Sequence, residues 1–243
     1  RALGMEKPRT YLVLFLNNTE LRPGGGFIGA YAVARMDKGK PQILKVEGTE
    51  ILDGLAPKDF PSEPPEALKK YLKISRWNFR DSNWSPDFSL SSQKGLDLYA
   101  KEKGVENDKI DAVIGFTPTV IEEILKIGGP IIVNGEEYNS NNFTEKLEYE
   151  VEYGYAKRGL SFDDRKKTLV DLTHAITARI PLDLFRHWSD YTSLIPRMLA
   201  EKQVVLYSVN DAEQEILAGK KWGGLMEKYD GDYLMWVDAN LGA

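Results

Sequence analysis

The chain has 243 residues, 42% of them hydrophobic and 28% charged, with a net charge of −5. This is enough for a sizeable core, and the acidic balance argues against a nucleic-acid binder, whose domains usually carry a basic face. The absence of cysteine excludes thiol catalysis, disulfides and thiolate-bound metals, and two histidines, His174 and His187, argue against a histidine-built zinc site.

Taken in chain order, TYLVLFLNN (10–18) is short, apolar and stopped by two asparagines, and it predicts a buried strand. FIGAYAVARM (27–36) and QILKVEG (42–48), joined by DKGKP, complete an antiparallel meander. Residues 53–66 read as a loop, and PPEALKKYLK as a brief helix. RWNFRDSNWSPDF (76–88) reads as an aromatic, charged loop, followed by a helix to Lys103 capped by Ser89 or Ser91. IDAVIGF is a buried strand. TPTVIEEILKIGG is a helix, with Thr117 at the N-cap, Pro118 at the first position and Gly128 at the C-cap. With PIIVNG as another strand, this stretch predicts a βαβ unit.

A helix over 144–153 repeats Phe143, Leu147 and Val151 at four-residue spacing. Ser161 and Asp164 form a capping-box pattern ahead of a helix that Pro181 ends. The segment 183–202 is helical, with Pro196 kinking or splitting it. QVVLYSV is a strand, DAEQEILAG a helix, and DYLMWVDANL a last strand. No linker or repeat interrupts the alternation. The expected architecture is a single α/β domain, 1–243, with a mixed central β-sheet flanked by helices on both faces. No run reaches the ~18 apolar residues of a membrane span. The start at Arg1 and the end in DANLGA read as an excised segment of a longer chain.

Three stretches carry candidate chemistry. In NNTELRPGGG, Glu20 and Arg22 precede Gly24, Gly25 and Gly26; the glycine amides could form an anion nest with Arg22 adding its fork, or the run could be plain loop architecture. It matches neither a Walker motif nor GxGxxG. In FRDSNWSPDF, Arg80, Asp81, Asn83 and Asp87 combine a phosphate-binding guanidinium with carboxylates suited to Mg²⁺; the alternative is a surface loop pinned by its own aromatics. In YAKRGLSFDDRKK, Lys157, Arg158, Arg165, Lys166 and Lys167 bracket a helix start, where an anion would be favoured, although Asp163 and Asp164 offset them.

YLVLFLNNTELRPGGGFIGAYAV, RDSNWSPDF, IDAVIGFTPTVIEEILKIGGPIIV and VDANLG together resemble the domain of unknown function 4012 family, found in bacterial envelope proteins. That family distantly resembles the LytR-CpsA-Psr phosphotransferases, which move a glycopolymer from a polyprenyl-pyrophosphate carrier onto peptidoglycan. The resemblance implies a LytR-CpsA-Psr-like fold and an extracytoplasmic domain, membrane-anchored through an upstream segment. It implies a polyprenyl-pyrophosphate-linked glycan and a cell-wall glycan acceptor as partners. It assigns Arg80, Asp81 and Arg165 to catalysis, with Arg158 and Asp164 in the same late motif. Arg22, Gly24, Gly25, Arg158 and Lys167 would bind pyrophosphate, and Glu20, Asp81 and Asp87 would hold Mg²⁺. RKKTLVDL lacks the arginine-glutamine pair usual in that late motif, which keeps a non-catalytic envelope module, binding glycan or protein, as the alternative.

Overall fold

The computed structural model describes every residue except 58, 61, 160, 162–164, 228 and 242–243. Its centre is a five-stranded mixed sheet in the order β3-β2-β1-β4-β7. β1 (Arg9–Asn17), β2 (Phe27–Asp37) and β3 (Lys40–Gly48) form the expected meander. β4 (Ile110–Phe116) lies parallel to β1, and β7 (Val204–Ser208) closes the far edge antiparallel to β4.

Strand alternation sends consecutive residues to opposite faces. Leu12, Leu14 and Leu16 of β1 pair with Val33, Tyr31 and Ile28 of β2, and all six are buried on one face. That face packs on Phe79 and on Phe88, Leu98 and Tyr99 of α2 (Phe88–Lys101). The rings of Tyr31, Phe79 and Tyr99 make a tilted and edge-on triangle with centroids 5.4–5.6 Å apart. α1 (Thr49–Leu55), which the loop reading of 53–66 did not foresee, packs on the same side through Leu52.

Val13 and Phe15 point the other way, with Ala30, Ala32, Ile114 and Phe116 beside them. Over this face lie α3 (Pro118–Gly128), α4 (Phe143–Tyr149) and α6 (Lys167–Arg186). Helices therefore cover both faces, as the alternating pattern predicted. α4 runs on through a π-helical turn, Glu150–Gly154, into the short α5 (Tyr155–Lys157).

Several local expectations are corrected. The strand after α3 does not join the sheet in a βαβ unit. β5 (Ile131–Val133) instead pairs antiparallel with β6 (Glu136–Tyr138) across Asn134-Gly135, both at positive φ, the dipeptide that suits a tight hairpin. The C-cap of α3 is Gly129, at φ 82°, rather than Gly128. α2 is capped by Asp87, not by Ser89 or Ser91. α6 begins at Lys167, with Lys166 as its N-cap; the Asp164 half of the expected capping box lies outside the described residues.

Pro181 sits inside α6 and does not end it, because Arg179 and Asp183 pair across it at 2.7 Å and Arg179 also donates to the Gly129 carbonyl. The break comes at His187, before α7 (Trp188–Ala200), which carries Pro196 internally. α8 (Asp211–Gly219) follows β7. The last predicted strand is not formed. Residues 232–241 are irregular, and Leu234 and Trp236 are 88% and 85% exposed, so these side chains do not pack on the sheet.

Candidate functional site

The loop after β1 shows what its three glycines are for. Gly24 N–H donates to the Asn83 carbonyl at 3.0 Å, and Gly25 N–H to the Arg22 carbonyl at 3.1 Å. The Asn83 amide donates in turn to the Gly26 carbonyl at 2.7 Å. A Cβ on Gly24 would lie 2.7 Å from the Asn83 side chain, and one on Gly26, at φ 130°, would lie 2.3 Å from the Asn17 carbonyl. The glycines permit a close backbone approach, and the amides of Gly24 and Gly25 are spent within the protein. The anion nest drawn from Gly24 and Gly25 is therefore not formed.

This seating turns Arg22 inward. Its guanidinium is buried, 3.3 Å from Glu20 and 3.5 Å from Asp81, with its carbon 5.0 Å above the Phe27 ring. It also donates to the carbonyls of Leu21 and Asn240. Asp81 belongs to a short 3-10 turn, Phe79–Asp81, whose other polar member, Arg80, pairs with Asp53 of α1. Burial pushes the Asp81 carboxyl up, against the pull of Arg22 and Arg80. Burial likewise raises the Glu20 carboxyl, with Asp81 and Glu152 adding to it and Arg22 opposing.

A β-bulge prepares the third part. The β1–β2 register jumps from Phe15↔Ala30 to Leu16↔Ile28, leaving Gly29 without a partner on β1. Its carbonyl accepts a hydrogen bond from Lys166, the residue ahead of α6. Lys166 also pairs with Glu50 of α1 at 2.7 Å, and Arg165 pairs with the same carboxylate at 3.2 Å and with Glu152 at 3.9 Å. Burial lowers the Lys166 ammonium pKa, opposed by Glu50. Burial alone would raise the Glu50 carboxyl, but Lys166 and Arg165 hold it below its usual range.

Glu20, Arg22, Arg80, Asp81 and Arg165, predicted from three separate stretches, thus lie in one connected charged layer. Three partners in that layer, Glu50, Asp53 and Glu152, were not singled out from sequence, while Lys166 was named in the late basic cluster without an assigned role. Other predicted members are elsewhere. Arg158 pairs with Glu150 at 2.7 Å and donates to Thr168, beside a separate shallow pocket with Tyr138 and Lys157. Lys167 is exposed on the first turn of α6. Asp87 spends one oxygen on the amides of Ser89 and Leu90 and the other on that of Met226. As the cap of α2 it is removed from the metal set that was expected to include Glu20 and Asp81. Among the described residues no three acidic or imidazole side chains gather as a metal cage.

Under the charged layer lies a cavity of about 620 Å³ between the sheet and the helices. Its walls are apolar: Val13, Phe15 and Ile114 on the sheet, Ile121 and Ile124 on α3, and Leu169, Leu172, Ile176 and Ile180 along one face of α6. Among the described residues its charged lining is Glu20, Glu148, Glu152, Arg165 and Lys166. The arrangement suits a ligand with a long apolar part and a charged or polar head that meets Arg165 and Lys166 beside three carboxylates.

The fold recurs in a solved structure. Protein gbs0355 from Streptococcus agalactiae aligns at a TM-score of 0.52 and 11% identity, over 89% of this chain and 74% of that one. Lin1025 from Listeria innocua aligns at a TM-score of 0.40 and 13% identity, over 88% and 77%. No curated protein matches in sequence. The model of the family described as Protein of unknown function (DUF4012) matches residues 6–152. That stretch runs from the start of the sheet to Glu152 at the cavity mouth, more than half of the chain, and the chain belongs to this family.

Proposed function

We propose that the domain binds a polyprenyl-pyrophosphate-linked glycan outside the cytoplasm and transfers it to a cell-wall glycan, in the manner of the LytR-CpsA-Psr phosphotransferases. The observation that carries this reading is the apolar cavity whose charged lining includes Arg165 and Lys166. A polyprenyl tail needs such a dry slot, and the sequence pattern could not distinguish it from ordinary core. Arg165 and Lys166 sit where a pyrophosphate would follow a tail held along α6. Arg22 and Arg80, deeper in the layer, fix the carboxylates around it.

In the proposed step the acceptor hydroxyl oxygen bonds to the sugar-side phosphorus, and the bridging bond to the second phosphate breaks. Polyprenyl phosphate leaves. Glu20, half-buried at the cavity with its pKa raised, is placed to take the hydroxyl proton. Arg165 and Lys166 would stabilise charge developing on the leaving phosphate. Glu20 and Asp81 both flank the Arg22 guanidinium and are engaged by that cation, and the step is written without a metal.

The alternative, a non-catalytic envelope module, draws on the pairing of Arg22, Arg80, Arg165 and Lys166 with carboxylates. An incoming pyrophosphate must compete with these acids. Native mass spectrometry with a short polyprenyl pyrophosphate, with and without Mg²⁺, separates the two. Saturable binding that Arg165→Ala weakens by about tenfold or more supports the transferase reading. Folded protein that binds nothing at high micromolar ligand supports the module.

A further inference from the structure

Beneath the charged layer, two acids meet with no base between them. Glu102 caps the C-terminus of α2 and is 0% exposed; Asp53 on α1 is 3% exposed. One Glu102 oxygen accepts the Phe79 amide at 3.0 Å. One Asp53 oxygen accepts from Arg80. The remaining oxygens, Glu102 Oε2 and Asp53 Oδ1, are buried and receive no donor, and the Asp53 charge bears directly on Glu102. Two carboxylates have no hydrogen to share. In a site this dry they cannot both be ionised without repulsion that the surroundings do not relieve.

We propose that Glu102 and Asp53 hold one proton between them, and that this pair positions Arg80 in the charged layer. The proton sits on Glu102, because Arg80 already faces Asp53 whereas Glu102 has only a backbone amide and the more distant Arg76. Glu102 then donates to Asp53, which is fixed on both sides and holds the Arg80 guanidinium in one orientation. The same Glu102 side chain pins the 3-10 turn that carries Arg80 and Asp81.

The charged and titratable neighbours are consistent with this. Arg76 donates to the Asp53 backbone carbonyl. Asp81 feels the Asp53 charge but is matched by Arg22. From the sheet side, Tyr31 donates to Glu47, and Tyr99 of α2 donates to the Val105 carbonyl, so neither hydroxyl serves the pair. Burial first and Asp53 second push the Glu102 carboxyl up to about 8. Between its ordinary value and that point the folded chain keeps a proton that the unfolded chain has released. Stability from this group therefore falls as pH rises through the window and levels off above it.

Glu102→Gln keeps the donor and abolishes the titration; Glu102→Leu abolishes both. The infrared spectrum of the wild type at neutral pH should contain a carboxylic-acid C=O band that Glu102→Gln lacks. The fall in unfolding free energy between about pH 5 and 8 should be steeper in the wild type than in Glu102→Gln. In ¹⁵N NMR the Arg80 Nε–H should be protected from exchange in the wild type and Glu102→Gln, and unprotected in Glu102→Leu. An absent band with parallel stability profiles overturns the shared proton. Equal Arg80 protection in the two variants overturns the positioning role. These readouts need no ligand, so they stand or fall apart from the proposed function.

Resting on that reading, a fourth readout is affinity for a short polyprenyl pyrophosphate. It should fall by about tenfold or more in Glu102→Leu and be restored in Glu102→Gln. Equal affinity in the two overturns the link from Arg80 to the ligand.

Discussion

The two faces of the central sheet use the same residue types and do different work. On the face toward α2, Leu12, Leu14 and Leu16 pack in one buried cluster with Phe79, Phe88 and Tyr99. At Gly115 even a Cβ would come within 3.0 Å of Leu16, Phe88 and Val205. On the face toward α6, Val13, Phe15, Ala30 and Ala32 border about 620 Å³ of cavity. Unfilled apolar volume forgoes dispersion contacts, so the second face stabilises the fold less per residue than the first. One side of the sheet holds the protein together, and the other is held open.

Substitutions can break or sharpen that contrast. The largest effect belongs to the filled face: Phe79→Ala removes the centre of the ring triangle and should cost about 3–5 kcal/mol in urea unfolding. Next is the charged layer over the open face. Glu50→Gln removes the carboxylate that Arg165 and Lys166 share and should cost about 3 kcal/mol at neutral pH. Because the Glu50 carboxyl is held below its usual range, the stability it gives is present above that range and lost as pH falls through the lowered value. The gap between wild type and Glu50→Gln should therefore close in acid. A smaller pair of effects tests the cavity directly. Gly115→Leu, on the filled face, should cost about 1–3 kcal/mol or more by overpacking. Ala32→Leu, on the open face, should change stability by less than about 1 kcal/mol while blocking an apolar ligand. Equal penalties at the two positions would mean the faces do not differ as described. The smallest effect belongs to neither face: Trp236→Ala, in the irregular C-terminal segment, should stay within about 0.5 kcal/mol.

Much of the fold was legible because β1–β3 and β4 are dense in β-branched and large apolar residues between turn signals, and α6 repeats Leu169, Leu172, Ile176 and Ile180 at helical spacing. The same spacing concealed the cavity, since a helix face lining a slot and one filling a core have one periodicity. Pro181 misled because the helix is held across the proline by the i,i+4 pair Arg179–Asp183 and by the tertiary bond from Arg179 to the Gly129 carbonyl. DYLMWVDANL has the composition of a strand, but its bulky residues meet solvent and no ladder. The charged clusters announced Glu20, Arg22, Arg80, Asp81 and Arg165. Asp87 looked like a ligand and is a cap, because aspartate suits both roles. Glu50 and Asp53 stayed hidden on α1, where neither has a like or opposite charge beside it to draw notice. Their importance comes from residues 115 and 27 positions away.

Arg22 receives one of its acceptors, the Asn240 carbonyl, from 218 residues downstream, and the Asn240 amide returns the contact to Leu21. Synthesis at about 5–20 residues per second separates the two by roughly ten to forty seconds. Throughout that interval the nascent chain has its first strand and its glycine loop but not the last partner of the buried guanidinium. A loop closed over so long a span also comes late for entropic reasons. Assembly of the charged layer is thus tied to the arrival of the segment around Asn240, and a chain halted short of it would carry the sheet without a completed charged layer.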